Sequence, residues 1–225
     1  MNISSRIEAT LLVQRRDLLR QVTEEATARR LPLYAVGGFA RDLLLGRRVR
    51  DFDLVVEGDA IPFARALSRA HGGRVTAHTK FHTATWFLPP NLVSDARGAE
   101  ALDFISARSE TYAHPAALPT VKLGTIADDL RRRDFSINAL AVRLDGEQFG
   151  ELRDDLGGMT DLERGLIRVL HPNSFVDDPT RLFRAVRYAE RYGFKVEPET
   201  EALIPTALVY VDKLSPERLR HELDL

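Results

Sequence analysis

Five short runs of apolar or β-branched residues, at 33–36, 52–56, 83–88, 101–105 and 140–144, are separated by turn residues and helical stretches. Each run has to pair with a neighbour to satisfy its backbone, so together they predict the strands of one mixed sheet. Before them, Ile7, Leu11, Leu12, Leu18, Leu19 and Val22 recur at near-helical spacing with charge between, which predicts an amphipathic opening helix over 5–29. Beyond about Pro172 the strand signals stop, and 174–191, 198–208 and 215–225 read as helices. The last opens Ser215-Pro216-Glu217, an N-cap residue followed by proline at the first helical position. The expected organisation is an α/β (α+β) head over 1–172, then an all-helical unit over 173–225. The longest expected loop, 106–124, holds Pro115, Pro119 and Gly124, and loops of that length often carry function.

Composition removes several chemistries. The chain of 225 residues has no cysteine, which excludes disulfides, thiolate metal sites and cysteine nucleophiles. The first eight residues lack the apolar core of a secretory signal, and no apolar run approaches membrane-spanning length. A cytoplasmic protein is expected. The formal net charge of −1 excludes a globally basic field, so any contact with nucleic acid has to be local. His78 and His82 stand four apart without a third ligand, which suits surface or packing roles rather than zinc. No nucleophilic triad and no P-loop is present.

The chemistry concentrates in Gly37-Gly38-Phe39-Ala40-Arg41-Asp42-Leu43-Leu44-Leu45-Gly46-Arg47-Arg48-Val49-Arg50-Asp51-Phe52-Asp53, which reads strand, glycine turn, short helix, loop, strand. With a side-chain period of two, Asp51 and Asp53 project from one strand face about 6.5 to 7 Å apart, while Phe52 and Leu54 point to the core. Carboxylates this close repel unless a cation neutralises them, and a hard divalent ion such as Mg²⁺ prefers such oxygen clusters. Asp103, in Asp103-Phe104-Ile105-Ser106, is the candidate for a third carboxylate if its strand lies beside theirs. Two metal ions held there would suit an in-line phosphoryl displacement. Gly37 and Gly38 lack Cβ atoms and let backbone N–H groups approach a triphosphate, and Arg41 in the first turn of the helix adds charge.

The ordered pattern Gly-Gly-x2-Arg-Asp-x3-Gly-x4-Asp-x-Asp resembles the signature of class II tRNA nucleotidyltransferases and bacterial poly(A) polymerases, within the polymerase-β-like superfamily. Four later segments agree in order: Asp103-Phe104-Ile105-Ser106-Ala107-Arg108, Arg132-Arg133-Asp134-Phe135-Ser136-Ile137-Asn138-Ala139, residues 177–187, and Glu217-Arg218-Leu219-Arg220-His221-Glu222. The resemblance spans 34–222. It implies a nucleotidyltransferase head followed by a helical neck that binds the incoming base. It also implies Mg²⁺, CTP and ATP as substrates, the tRNA 3′ end as partner, and nucleotide-binding roles for the matching Arg108 and Arg184.

Asp134 and Asn138, if helical, share a face at i, i+4, where an acceptor and an amide can hold a ribose hydroxyl, with Arg133 reaching a phosphate. The resemblance implies that this segment selects ribose. Asp178 and Arg181 at i, i+3 on a helix place an acceptor beside a forked donor. Such a pair complements the base edges of cytosine and adenine and leaves buried partners unpaired against guanine and uracil. Leu182, Val186 and Ala189 mark the core face of the same helix, and Arg184, Arg187 and Arg191 its solvated side. Glu217, Arg218, Arg220 and Glu222 are expected to form bracing ion pairs.

The presence of the 106–124 loop leans toward CCA-adding or A-adding enzymes, since CC-adding relatives resemble this pattern with the loop shortened. Relatives continue into helical body and tail domains, whereas three residues follow Glu222, so a chain lacking those domains is expected. Poly(A) polymerase stays open as an alternative, as does a non-catalytic nucleotide-binding regulatory domain.

Overall fold

The computed structural model describes residues 1–11, 13–49, 52–92 and 101–224; Asp51 lies outside them. Two helices open the chain, α1 (Ser4–Thr10) and α2 (Val13–Ala28). There follow β1 (Leu33–Val36), α3 (Gly38–Leu44), β2 (Asp53–Val56), α4 (Ala60–His71), β3 (Arg74–His78), β4 (Thr83–Phe87) and β5 (Ala101–Ser106). Next come β6 (Arg108–Thr111), β7 (Thr120–Leu123), α5 (Ile126–Arg131), β8 (Ala141–Arg143), β9 (Leu152–Arg153), α6 (Gly158–Arg164) and β10 (Leu166–Ile167). The remainder is α7 (Ser174–Asp177), α8 (Thr180–Tyr192), β11 (Lys195–Val196), α9 (Pro198–Glu201), α10 (Ile204–Ala207) and α11 (Pro216–Leu223).

Among the described residues seven strands form one mixed sheet in the order β3-β4-β5-β2-β1-β8-β9. Its pairs are antiparallel except β2 with β5, which run parallel with Asp53 opposite Asp103, Leu54 opposite Phe104 and Val55 opposite Ile105. Alternation divides the strands between two cores. Leu54, Ala84, Trp86, Leu102 and Phe104 face α4, whose Phe63, Ala64 and Leu67 meet them, with Phe63 edge-on to Phe104 at 5.3 Å. The opposite face carries a smaller core of Tyr34, Val36, Val55, Ala139 and Ala141 beneath Ile126 and Leu130 of α5. That second core reaches Ile105 on β5, while Asp103, two residues earlier on the same face, is exposed beside Asp53.

The helix starts follow local chemistry. The Asp59 side chain accepts from the Ile61 amide at 3.0 Å and caps α4, which ends at Gly72 with φ +86°. Thr125 and Asp128 form a reciprocal capping box at α5.

Several expectations are corrected. The opening helix is two helices, because Leu11 adopts an extended backbone, so that α1 packs on α3 and α2 on α4. The 106–124 segment holds an antiparallel hairpin, β6 with β7, rather than a continuous loop. The helix expected over 174–191 breaks at Asp178 (φ −137°, ψ 94°), since the following Pro179 disfavours α geometry there. The run 198–208 is split where Pro205 restarts the chain in α10. Strand pairing also continues past residue 172, where β11 lies parallel to β10.

Phe104 is wholly buried between the two residues that flank it on the carboxylate face. Truncating it to alanine should cost about 3–5 kcal/mol of unfolding free energy in urea titrations, the usual range for a buried aromatic. A loss below about 1 kcal/mol would contradict this packing.

Candidate active site

The β2–β5 pairing carries two carboxylates into one small volume. In a parallel, in-register pair both side chains leave the same face, with strands about 4.8 Å apart. Asp53 opens β2 and Asp103 sits third in β5. Thr85, opposite Asp103 on β4, donates its hydroxyl to Asp103 Oδ1 at 2.6 Å and orients that carboxylate. Phe52 and Leu54 turn to the large core as expected, Phe52 lying 5.2 Å from the Phe39 ring.

Asp53 lines a cavity of about 200 Å³ together with Gly37, Gly38, Arg133, Asp134 and Asn138. Gly37 has φ +59°, and a Cβ there would meet Arg133 Nη1 at 2.8 Å. A glycine is therefore needed for the turn and for the close approach of the guanidinium. Arg133 gives Nε and Nη2 to Asp129 Oδ2 at 3.2 and 2.7 Å, which leaves Nη1 beside the glycine turn.

Asp129 is wholly buried between two arginines, its other oxygen taking Nε and Nη2 of Arg132 at 2.9 and 2.6 Å. Burial works against its charge, but Arg133 and Arg132 together hold its carboxyl below the usual range. Arg132 also reaches Glu110 in β6, which accepts from Arg108 as well. Arg108 is thus tied to the hairpin and to the Phe81 carbonyl, not placed in the cavity.

Arg41 is 4 % exposed. Its Nε meets Asp42 at 2.9 Å, Nη1 donates to Asn138, and its guanidinium lies 5.2 and 4.6 Å from the Tyr188 and Tyr192 rings. It packs at the cavity wall as part of a buried network, where an added charge in the first turn of the helix had been expected.

Asp134 and Asn138 do come together, but not on an α-helix: the chain is extended at Phe135 and makes a 3₁₀ turn over Ser136–Asn138. Asn138 Nδ2 donates to Asp134 Oδ1 at 2.9 Å. Asp134 Oδ2 pairs with Arg184 Nη2 at 2.7 Å, and Arg184 also bonds the Tyr188 hydroxyl at 2.8 Å. Although burial disfavours the charged form, Arg184 and the Asn138 amide keep the Asp134 carboxyl below its ordinary range. Asp134 raises the Arg184 pKa against the effect of burial.

A second cavity of about 230 Å³ shares Arg133, Asp134 and Arg184 with the first and adds Tyr112, Asp178 and Arg181. Asp178 and Arg181 meet here without sharing a helix face. Asp178 precedes α8, where its Oδ1 accepts from Thr180 and from Arg218 Nη2 at 2.7 Å. Arg181 is buried and donates to Ser174 Oγ at 2.6 Å and to the Arg132 carbonyl at 2.9 Å. The expected solvated side of α8 is likewise corrected, since Arg184 and Arg187 are half-buried in pairs with Asp134 and Glu222. Val186, expected in the core, is exposed. Arg218 and Glu222 brace the end of the chain as expected.

Glu110, Asp129, Arg132 and Tyr188 were not singled out from the sequence. The i, i+3 and i, i+4 spacing of Asp129 with Arg132 and Arg133 signals the Asp129 clamp. A larger cavity of about 760 Å³ lies between α1, α2 and the 146–149 turn, away from the carboxylate pair.

Comparison with known proteins decides the family. The sequence profile described as Poly A polymerase head domain matches residues 33–168, more than half of the chain. The chain belongs to that head-domain family. An A-adding tRNA nucleotidyltransferase of Halalkalibacterium halodurans is 43% identical over 228 residues, covering 100% of this chain and 52% of the relative. A solved CCA-adding enzyme in an apo form superposes with TM-score 0.88 at 42% identity, covering 99% of this chain and 51% of that one. CCA-adding enzyme complexes with CTP and with ATP each give TM-score 0.84 at 39% identity, covering 99% and 49%. The chain spans about half the length of these relatives. No helix among the described residues of this head-domain chain is long and apolar enough to cross a membrane.

Because the folded-state pKa of Asp134 lies below the unfolded value near 3.9, its contribution is present above that pH and is lost as pH falls through the folded pKa. Asp134→Asn should therefore lower unfolding free energy at pH 7 by roughly 3 kcal/mol, the low end for breaking a buried pair. The gap to the unsubstituted protein should narrow in denaturant titrations as pH is taken below about 4. A gap independent of pH would contradict the charged Asp134–Arg184 pair.

Proposed function

We propose that this chain is the catalytic and nucleotide-selecting part of a template-independent tRNA nucleotidyltransferase, adding C and/or A to a tRNA 3′ end from CTP and ATP. The observation that carries this reading is the in-register Asp53–Asp103 pair, of which Asp53 opens on the glycine-turn cavity. The donor set fits Mg²⁺, which is typically held by one or two carboxylates with waters and substrate phosphates completing its shell. Asp53 and Asp103, with Asp51 outside the described residues, are the groups proposed to hold it, as two ions. Bound there, the metal supplies Lewis acidity to the attacking hydroxyl and to the departing phosphate oxygens.

The protein's own groups orient the reaction. The triphosphate lies against the Gly37–Gly38 turn with Arg133 Nη1 beside it, and Arg133 is fixed for this task by Asp129. The ribose sits against Asp134 and Asn138, both of which line the first cavity, Asp134 also lining the second. The base enters the second cavity, where the Asp178 carboxylate and Arg181 guanidinium match the donor and acceptor edges of cytosine and adenine. Arg41 and Arg184 hold these walls together, and Arg108 acts through Glu110 on Arg132. The RNA 3′-oxygen then attacks the α-phosphorus, the bond to the β-phosphate breaks, and pyrophosphate leaves. Residues 173–225 serve in this reading as the neck, and the cytoplasm is the expected compartment.

An A-adding relative at 43% identity and a CCA-adding enzyme at 42% both match essentially the whole chain, so the choice between them falls to an assay. Incubation with Mg²⁺, single nucleotides and tRNAs ending before C74, C75 or A76 separates the cases. Extension by one A only after C75 marks an A-adding enzyme, a complete CCA marks a CCA-adding one, and a long A tail on any RNA marks a poly(A) polymerase. Asp53→Ala should abolish incorporation with unchanged far-UV circular dichroism; a fully active, folded variant would refute the assignment.

A further inference from the structure

We propose that the open face of the sheet across β3, β4 and β5 is a docking platform for the RNA strand whose 3′ end is extended, a proposal that rests on the transferase reading above. Three in-register rows cross these strands: Arg74 with Phe87 and Ala101, Thr76 with Thr85 and Asp103, and His78 with Thr83 and Ile105. Residues opposite one another share a face, so all of these lie on the side that carries Asp103 and Asp53. The other side, with Ala84, Trp86, Leu102 and Phe104, is sealed by α4. Among the described residues the second core covers this face at β1, β2 and β8 and reaches Ile105 near the end of β5, so the open part is centred on the Arg74 and Thr76 rows. Arg74, His78 and Asp103 are exposed, and Thr76, Thr83, Thr85 and Phe87 are half-buried.

The chemistry of this face suits a polyanion with stackable bases. The Arg74 guanidinium lies 4.3 Å from the centroid of the Phe87 ring, a flat cationic and aromatic pair. Lys80, exposed in the turn Thr79–Phe81, puts a second cation past the other end of β3. Among the described residues neither Arg74 nor Lys80 has an acidic partner. Threonine hydroxyls lie between them, and the only acids on the described residues of β2 to β5 are Asp53 and Asp103.

Position supplies the second argument. In the sheet order the carboxylate pair stands between this face and the glycine turn that follows β1. An in-line displacement needs the nucleophile on the side of phosphorus away from the leaving group. A triphosphate on the glycine turn leaves the β5 side for the attacking 3′-hydroxyl. At about 4.8 Å per strand the platform reaches roughly 14 Å from Asp53 to Thr76, enough to lay out the last nucleotides of a strand.

The test is fluorescence anisotropy of a labelled tRNA ending at C75, titrated with the protein and with the double variant Arg74→Glu, Lys80→Glu over a range of salt. The neutral variant Arg74→Gln, Lys80→Gln and thermal unfolding of each guard against misfolding. The double charge reversal should weaken binding about 10-fold or more, and the slope of log Kd against log salt should flatten by about 1.4, the value for two lost single-strand phosphate contacts. The neutral variant should flatten the slope equally. Kd and slope unchanged in both variants, or no saturable RNA binding by the unsubstituted protein, would overturn the platform. Binding that depends on Arg74 and Lys80 without any nucleotide incorporation would instead remove the transferase reading and leave the RNA surface standing.

Discussion

Parallel pairing of β2 with β5 is the constraint on which the rest depends. In an otherwise antiparallel sheet, this pair sets Asp53 directly against Asp103, and a shift of one residue would turn one carboxylate into the α4 core. Leu54 and Phe104, opposite one another on the buried side, penalise any such slip because both would have to leave that core. The acidic pair is thus held by hydrophobic burial on the reverse of the same two strands. Thr85 adds orientation from the next strand.

Around this pair, buried ions join parts of the chain that are distant in sequence. Asp134 binds Arg184 fifty positions later, Asn138 binds Arg41 of the glycine helix, and Tyr192 bonds Asp42, so α3, the 134–138 turn and α8 form one ring of contacts. Asp129 locks Arg132 and Arg133, and Glu110 extends that clamp to the β6–β7 hairpin. Each member loses its partner if another is removed, and unpaired buried charge is costly. The two cavities share Arg133, Asp134 and Arg184, so a change in one wall reaches both.

The sheet was legible in the sequence because each strand alternates or runs apolar between clear turns; β1 was bounded correctly, and Ala84 and Trp86 face the core while Thr83 and Thr85 do not. Asp53 and Asp103 were legible as strand carboxylates, but their meeting depends on the long-range β2–β5 pairing, and Asp51 lies outside the described residues. The turn after β1 was legible from Gly37-Gly38 alone. Other features depend on pairings that local spacing does not encode. The Asp134–Arg184 bond turned the expected solvated side of α8 into a buried wall. β10 and β11 are two residues each and exist only through one another. The hairpin at 108–123 was hidden by Pro115 and Pro119, which lie between its strands. The break at Asp178 was available from Pro179, and it is what lets Asp178 cap Thr180 and meet Arg218.

The most direct measurement is a crystal structure of the protein with a non-hydrolysable ATP analogue and Mn²⁺, with anomalous density recorded at the manganese edge. An anomalous peak within coordination distance of both Asp53 and Asp103, with the triphosphate on the Gly37–Gly38 turn, is the predicted result. A nucleotide bound elsewhere, or manganese away from that pair, would contradict the account.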